Sequence, residues 1–182
     1  MKAPYLSTHS GRQVSLLDPL PSDINIQDIA LGLSRQYRFN GQTSRPYTVA
    51  QHCVFVSYLV PPTLALQALL HDAAEAYIGD LPYPVKRLCP DYQQIEDRLQ
   101  RAIMRHFNLP AKLSTVIKHA DLIALATEKR DLMPQAEGEQ WEVLEGVTPN
   151  SRQIVDCWGP TRAESSFLNR FAQIAPGAAS HE

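Results

Sequence analysis

Apolar positions recur along this chain with the spacing of helices rather than of strands. In "NIQDIALGLSRQYRF", from residue 25, Ile26, Ile29, Ala30 and Leu33 fall on one face, with Asp23 or Asn25 available as the cap. "FNGQTSRP" is a loop. Thr48 then caps a second helix that runs to about Leu59, where "VPP" stops it. A third helix is predicted over 62–78, opened by Pro62 in its first turn and closed by Gly79. "DLPYPVKRLCP" holds at most a short helical turn. Long helices are predicted over "DYQQIEDRLQRAIMRHFN", closed by Asn108 and Pro110, and over "STVIKHADLIALATEKRDLM", capped by Ser114. Residues 134–160 are punctuated by Gly and Pro and read as a long connection with little regular structure. "TRAESSFLNRFAQI" is a last amphipathic helix, and residues 176–182 are expected to fray. Residues 1–22 are turn-rich, and "STHSGRQVSLL" has the pattern of a small hairpin turning at Ser10-Gly11. The expected fold class is all-α, a compact helical bundle with a small N-terminal β-hairpin. Residues 1–182 read as one domain.

Composition narrows the classes. The chain has 182 residues, 44% hydrophobic and 20% charged, which suits a single core. It has no run of 18 apolar residues, so no membrane span is expected. The N-terminus lacks the apolar segment of a secretory signal. Cys53, Cys89 and Cys157 are widely spaced, form no CxxC and read as reduced thiols, so a cytoplasmic location is expected. A net charge of −2 argues against a surface built to coat DNA or RNA. A small anionic substrate stays within reach of a few local Lys and Arg.

Ionisable residues stand where apolar ones are expected. His52 lies on the stripe Val49, Cys53, Val56 and Leu59. Asp72 shares a stripe with Ala65, Ala68, Leu69 and Ala76, and His71 is one step round from it. Asp121 follows Ile117 and precedes Ala124 at helical spacing. Burying an isolated carboxylate costs several kcal/mol, so such groups are normally paired or bound to metal. One inward histidine is more often a satisfied core residue than a ligand. Three helices bringing His, His-Asp and Asp together make a plausible shell for a divalent metal, with positions open for water and substrate. Internal salt bridges in a plain helical interaction protein are the alternative. His9 and His181 lie near the termini, His106 sits late in a helix, and His119 should face away from Asp121.

The order "VAQH", "HD" and "KHAD" resembles the signature of the HD-domain metal-dependent phosphohydrolases. "HDAAEAYIGDLPYPVK" looks like the corresponding block of the bacterial 5'-deoxynucleotidases and of related phage and prophage phosphohydrolases. "SRQYRFNG" looks like the arginine-aromatic pair those enzymes place ahead of the first ligand, with Phe39 where the best-known deoxynucleotidase has Trp. The resemblance covers roughly residues 10–130. It implies that His52, His71, Asp72 and Asp121 hold a divalent ion, with Mn, Co, Fe, Zn and Mg all candidates. Glu75 would orient water or accept its proton, and Asp80 would assist protonation of the leaving oxygen. Arg38 and Lys86 would contact phosphate, Phe39 would stack on sugar or base, and Arg45 would face the phosphate or support its loop. The implied reaction is hydrolysis of dNMP to deoxynucleoside and phosphate. Release of triphosphate from dNTP is the alternative, and a non-catalytic nucleotide-binding or sensory module is the alternative of another class. The implied partners are a deoxynucleotide and further copies of the chain, as a homodimer or larger homo-oligomer, with no nucleic-acid polymer and no membrane. The C-terminal Phe167, Phe171 and Ile174 fit either a subunit contact or the core.

Overall fold

The computed structural model describes residues 4–134, 141–154 and 156–175. Two short strands, β1 (Tyr5–Ser7) and β2 (Gln13–Ser15), pair antiparallel with Leu6 opposite Val14. Gly11 takes φ 81° in the turn between them, a value that favours glycine. The turn is fastened to the bundle by Asp28, whose carboxylate accepts from the Ser10 amide at 2.9 Å and the Ser10 hydroxyl at 2.6 Å.

The remainder is helical. The described residues contain α1 (Ile26–Ser34), α2 (Val49–Tyr58), α3 (Ala65–Leu69), α4 (Glu75–Ile78), α5 (Tyr83–Lys86), α6 (Pro90–His106), α7 (Thr115–Leu132) and α8 (Pro160–Ile174). Asn25, Thr48 and Ser114 cap α1, α2 and α7, each accepting a hydrogen bond from an amide in the first turn. Asn25 takes the role, and Asp23 ends a single 3₁₀ turn before it. Among its described residues, the long connection holds a 3₁₀ turn, Glu142–Leu144, and no other helix or strand. It is held down by side chains: Thr127 accepts from the Asn150 amide, Asp131 from the Ile154 amide, and Gln51 from the Trp158 amide. Residues 176–182, where fraying is expected, and with them His181, lie outside the described residues.

Two predicted helices are shorter than expected. The first stops at Ser34, and beyond it Phe39 and Asn40 adopt left-handed φ values of 55° and 52°. The helix predicted over 62–78 is a 3₁₀ turn followed by α3 and α4, with Leu70–Ala74 wound more tightly between the two helices. There the Ala73 amide donates to Leu70 and the Glu75 amide to Asp72, three residues back instead of four. The bond a regular helix would form between the Ala74 amide and the Leu70 carbonyl is absent. Both groups instead bond the side-chain amide of Gln100 on α6, at 3.1 and 2.7 Å. A polar group inserted into the ladder is a recognised cause of a helix break.

Helix α2 is central and packs against α3, α7 and α8, while α1 packs against α2, α4 and α8. The main core gathers Ile29, Leu33, Cys53, Leu69, Leu99 and Ile103 with Phe167 and Phe171, so the two phenylalanines serve this chain's own interior. Val56, Ala68, Ile117, Ala120 and Ala124 form a second cluster. No helix among the described residues is long and apolar enough to cross a membrane. At Gly32, α1 meets α4 backbone to backbone: a Cβ there would stand 2.6 Å from the Ala76 carbonyl oxygen and 2.9 Å from its Cα. Gly32→Ala must therefore push α4 away, and overpacking of this kind costs about 1–3 kcal/mol. The expected result is a clear drop in melting temperature for G32A; an unchanged melting curve would mean that the two helices do not touch there.

Candidate metal centre

His52 faces inward from α2 with no exposure, and His71 comes from the tight turn after α3. The Nδ1 of His71 lies 2.8 Å from the Ala68 carbonyl, which can only accept, so that nitrogen carries the hydrogen. The Nδ1 of His52 lies 2.6 Å from Oε1 of Glu128 and donates in the same way. In the neutral rings both Nε2 atoms are then left with lone pairs, and they face one another at 3.3 Å. Asp72 Oδ2 stands 3.1 Å from His71 Nε2 and 3.5 Å from His52 Nε2. Asp121 Oδ1 stands 3.2 Å from His52 Nε2 and 3.7 Å from His71 Nε2. The donor atoms of His52, His71 and Asp72 all lie within 4.8 Å of one another. Nitrogen and oxygen donors held about 2.1 Å from one ion stand roughly 3.0–3.4 Å apart, so these separations suit a single divalent cation. Among the described residues the donor set fits the group.

Without an ion, the same groups hold protons and charge among themselves. Burial works against a charge on either imidazole, and Arg38 adds to this at His52, yet the carboxylates prevail. Glu128 and Asp121 raise the pKa of His52, and Asp72 and Asp121 hold that of His71 well above its usual range. Burial pushes Asp72 and Asp121 upward, but the histidines outweigh it, bringing Asp72 down to about 2 and Asp121 well below the ordinary value. Asp121 is 39% exposed, not deep on an inner face as its stripe implied, so the site opens at that side.

Glu75 is buried, and its Oε2 has no hydrogen-bond partner among the described residues. Burial, then the charges of Asp72 and Asp80, drive its pKa well up. Asp80 follows Gly79 at the end of α4; burial also raises its pKa, although Arg38 opposes the shift. Lys86 does not project freely. Its Nζ donates to Glu96 Oε1 at 2.6 Å and stands 3.5 Å from Glu75 Oε1. Arg38 Nε donates to Glu128 Oε2 at 3.0 Å, and Nη1 lies 3.8 Å from Asp72. Phe39 carries the Arg38 guanidinium 5.3 Å from its ring centre and has the Trp141 ring 5.9 Å away. Arg45 donates to the Ile154 carbonyl, tying its loop to the long connection. His9, His106 and His119 are exposed and outside the cluster.

Sequence reasoning missed Glu128. It has no exposure, and its two oxygens bind His52 and Arg38. The signal was its place seven residues after Asp121, two turns on along the same face of α7. A carboxylate on the far nitrogen of a ligand histidine fixes tautomer and ring orientation, and losing one typically weakens metal binding 10–100-fold. Glu128→Gln is therefore expected to weaken Mn²⁺ binding by roughly that factor in equilibrium dialysis; unaltered affinity would remove Glu128 from this role. The metal-free protein should also respond to pH. Histidines whose folded pKa exceeds the ordinary 6.5 stabilise the fold fully below that value and cease to do so as pH rises through the raised folded values. Chelator-treated protein should lose melting temperature over that climb while metal affinity increases, because the ion displaces those protons. Affinity that falls with rising pH would contradict the assignment of the histidines.

No family model matches the chain. It is 43% identical over 171 residues to the uncharacterized protein YfdR of Escherichia coli K12, covering 94% of this chain and 96% of that protein. It is 39% identical over 153 residues to the uncharacterized protein RCAP_rcc00048 of Rhodobacter capsulatus, covering 76% and 78%. A more distant similarity, 26% over 92 residues, extends to the 5'-deoxynucleotidase PM0747 of Pasteurella multocida and covers 49% of this chain and 47% of that one. At 43% identity over nearly the full length of both chains, the chain belongs to the family of YfdR.

Proposed function

We propose that the protein is a divalent-metal-dependent phosphohydrolase of the HD type that removes the 5'-phosphate from deoxynucleoside monophosphates. The observation that carries this is the convergence of the His52 and His71 Nε2 atoms, which lie 3.3 Å apart, with one oxygen each of Asp72 and Asp121 standing 3.1–3.7 Å from them. The similarity to a 5'-deoxynucleotidase supports the substrate class.

His52, His71, Asp72 and Asp121 hold the ion, which when bound supplies Lewis acidity toward water and a phosphoryl oxygen. Arg38, oriented by Glu128, binds the phosphate and offsets charge that builds there. Lys86 exchanges a carboxylate partner for the phosphate, which leaves Glu75 free to act. With its raised pKa, Glu75 is suited to take a proton from the attacking water, and Asp80 to deliver one to the departing 5'-oxygen. Phe39 stacks against sugar or base. No covalent intermediate is required.

Product analysis across dNMPs, dNTPs and ribonucleotides with Mn²⁺, Co²⁺ or Mg²⁺ tests the proposal. Inorganic phosphate from dNMP is expected; tripolyphosphate from dNTP would replace the reaction, and no turnover of any nucleotide would overturn it. Asp72→Ala is expected to abolish both metal binding and turnover. Glu75→Ala should keep the metal and lose about 10²-fold or more in rate.

A further inference from the structure

Segment 70–80 carries four of the residues named above, yet much of its geometry is dictated from outside itself. Two glutamine side chains act on its backbone as substitute peptide groups. Gln100 on α6 donates to the Leu70 carbonyl at 2.7 Å and accepts from the Ala74 amide at 3.1 Å, one residue either side of the His71–Ala73 stretch. Gln36, in the loop after α1, donates to the Glu75 carbonyl at 2.7 Å and accepts from the Asp80 amide at 2.8 Å. The Gln36 main-chain carbonyl accepts from the Val49 amide at 3.0 Å, at the start of the helix that bears His52. Both glutamines are partly buried.

Magnitudes decide whether this matters. A 3₁₀ segment rises about 2.0 Å per residue and an α-helix about 1.5 Å, so four residues rewound would move the ends relative to each other by about 2 Å. Metal–ligand distances tolerate about 0.2 Å. Let Ala74 bond Leu70 directly, and the ligand turn would anneal into one continuous helix with His71 and Asp72 out of register.

Resting on the function proposed above, we infer that Gln100 and Gln36 are the positioning residues of this segment, with separate tasks. Gln100 holds the turn that presents His71 and Asp72 to the metal. Gln36 holds the ends of the stretch that presents Glu75 and Asp80 to the substrate.

Gln100→Met and Gln36→Met remove the amides at nearly constant volume. Each variant is compared with the unaltered protein for Mn²⁺ affinity by equilibrium dialysis, dNMP turnover, and hydrogen exchange of the Ala74 and Asp80 amides. In the unaltered protein both amides should be protected, and each should lose protection in its own variant. Q100M should weaken Mn²⁺ binding at least tenfold, roughly the cost of removing a residue that orients ligands. Q36M should keep Mn²⁺ affinity within about twofold while kcat falls about tenfold and KM changes little. A merely structural role would lower melting temperature without moving Mn²⁺ affinity or splitting kcat from KM. Free exchange of both amides in the unaltered protein overturns the inference even if neither variant folds. Mn²⁺ affinity unchanged in Q100M overturns it while leaving the function standing. An unaltered protein that binds no Mn²⁺ overturns the function first.

Discussion

Four electron-pair donors aimed into one small volume repel each other unless positive charge lies between them. His52, His71, Asp72 and Asp121 are arranged in this way. The upward shift of the histidines and downward shift of the aspartates are the response of such a group left to find its charge from protons. On the proposed reading, a divalent ion would supply more charge at the same point and let those protons depart. Metal binding and protonation would then be alternative solutions to one electrostatic problem.

Keeping the donors together in spite of this repulsion is the work of the surrounding fold. These donors come from α2, from the turn after α3 and from α7, so no local helix brings them together. Apolar packing around Cys53, Leu69 and Leu70 fixes two of these elements. The close approach at Gly32 sets the distance from α1 to α4. Polar side chains then trim the orientations: Glu128 turns the His52 ring and Arg38 together, and Gln100 and Gln36 secure the segment with His71, Asp72, Glu75 and Asp80. Phe39 and Asn40 hold left-handed backbone conformations beside Arg38, a local strain that the rest of the fold sustains.

Much of this could be read along the chain. The hairpin, the caps at Asn25, Thr48 and Ser114, and the long helices follow from local patterns that the chain carries near each site. The inward histidines and carboxylates stood out because they interrupt apolar stripes. What escaped reading depends on contacts between distant segments. The break at Leu70–Ala74 is made by Gln100, some thirty residues on, and no feature of "LLHDAAEAY" announces it. Glu128 sits within the charged run "TEKRD", which looks like a solvated face until α7 is seen packed on α2. Lys86 reads along the chain only as a phosphate contact, and the fold also brings Glu96 and Glu75 against it. Asp121 lies on an apolar stripe but near its edge, where the site meets solvent.

A crystal grown with Mn²⁺ and measured at the manganese absorption edge tests the electrostatic account most directly. One anomalous peak is expected within about 2.0–2.3 Å of the Nε2 atoms of His52 and His71 and of one oxygen each from Asp72 and Asp121. A map with no peak there, or with the ion held by other residues while those four remain paired among themselves, would contradict it.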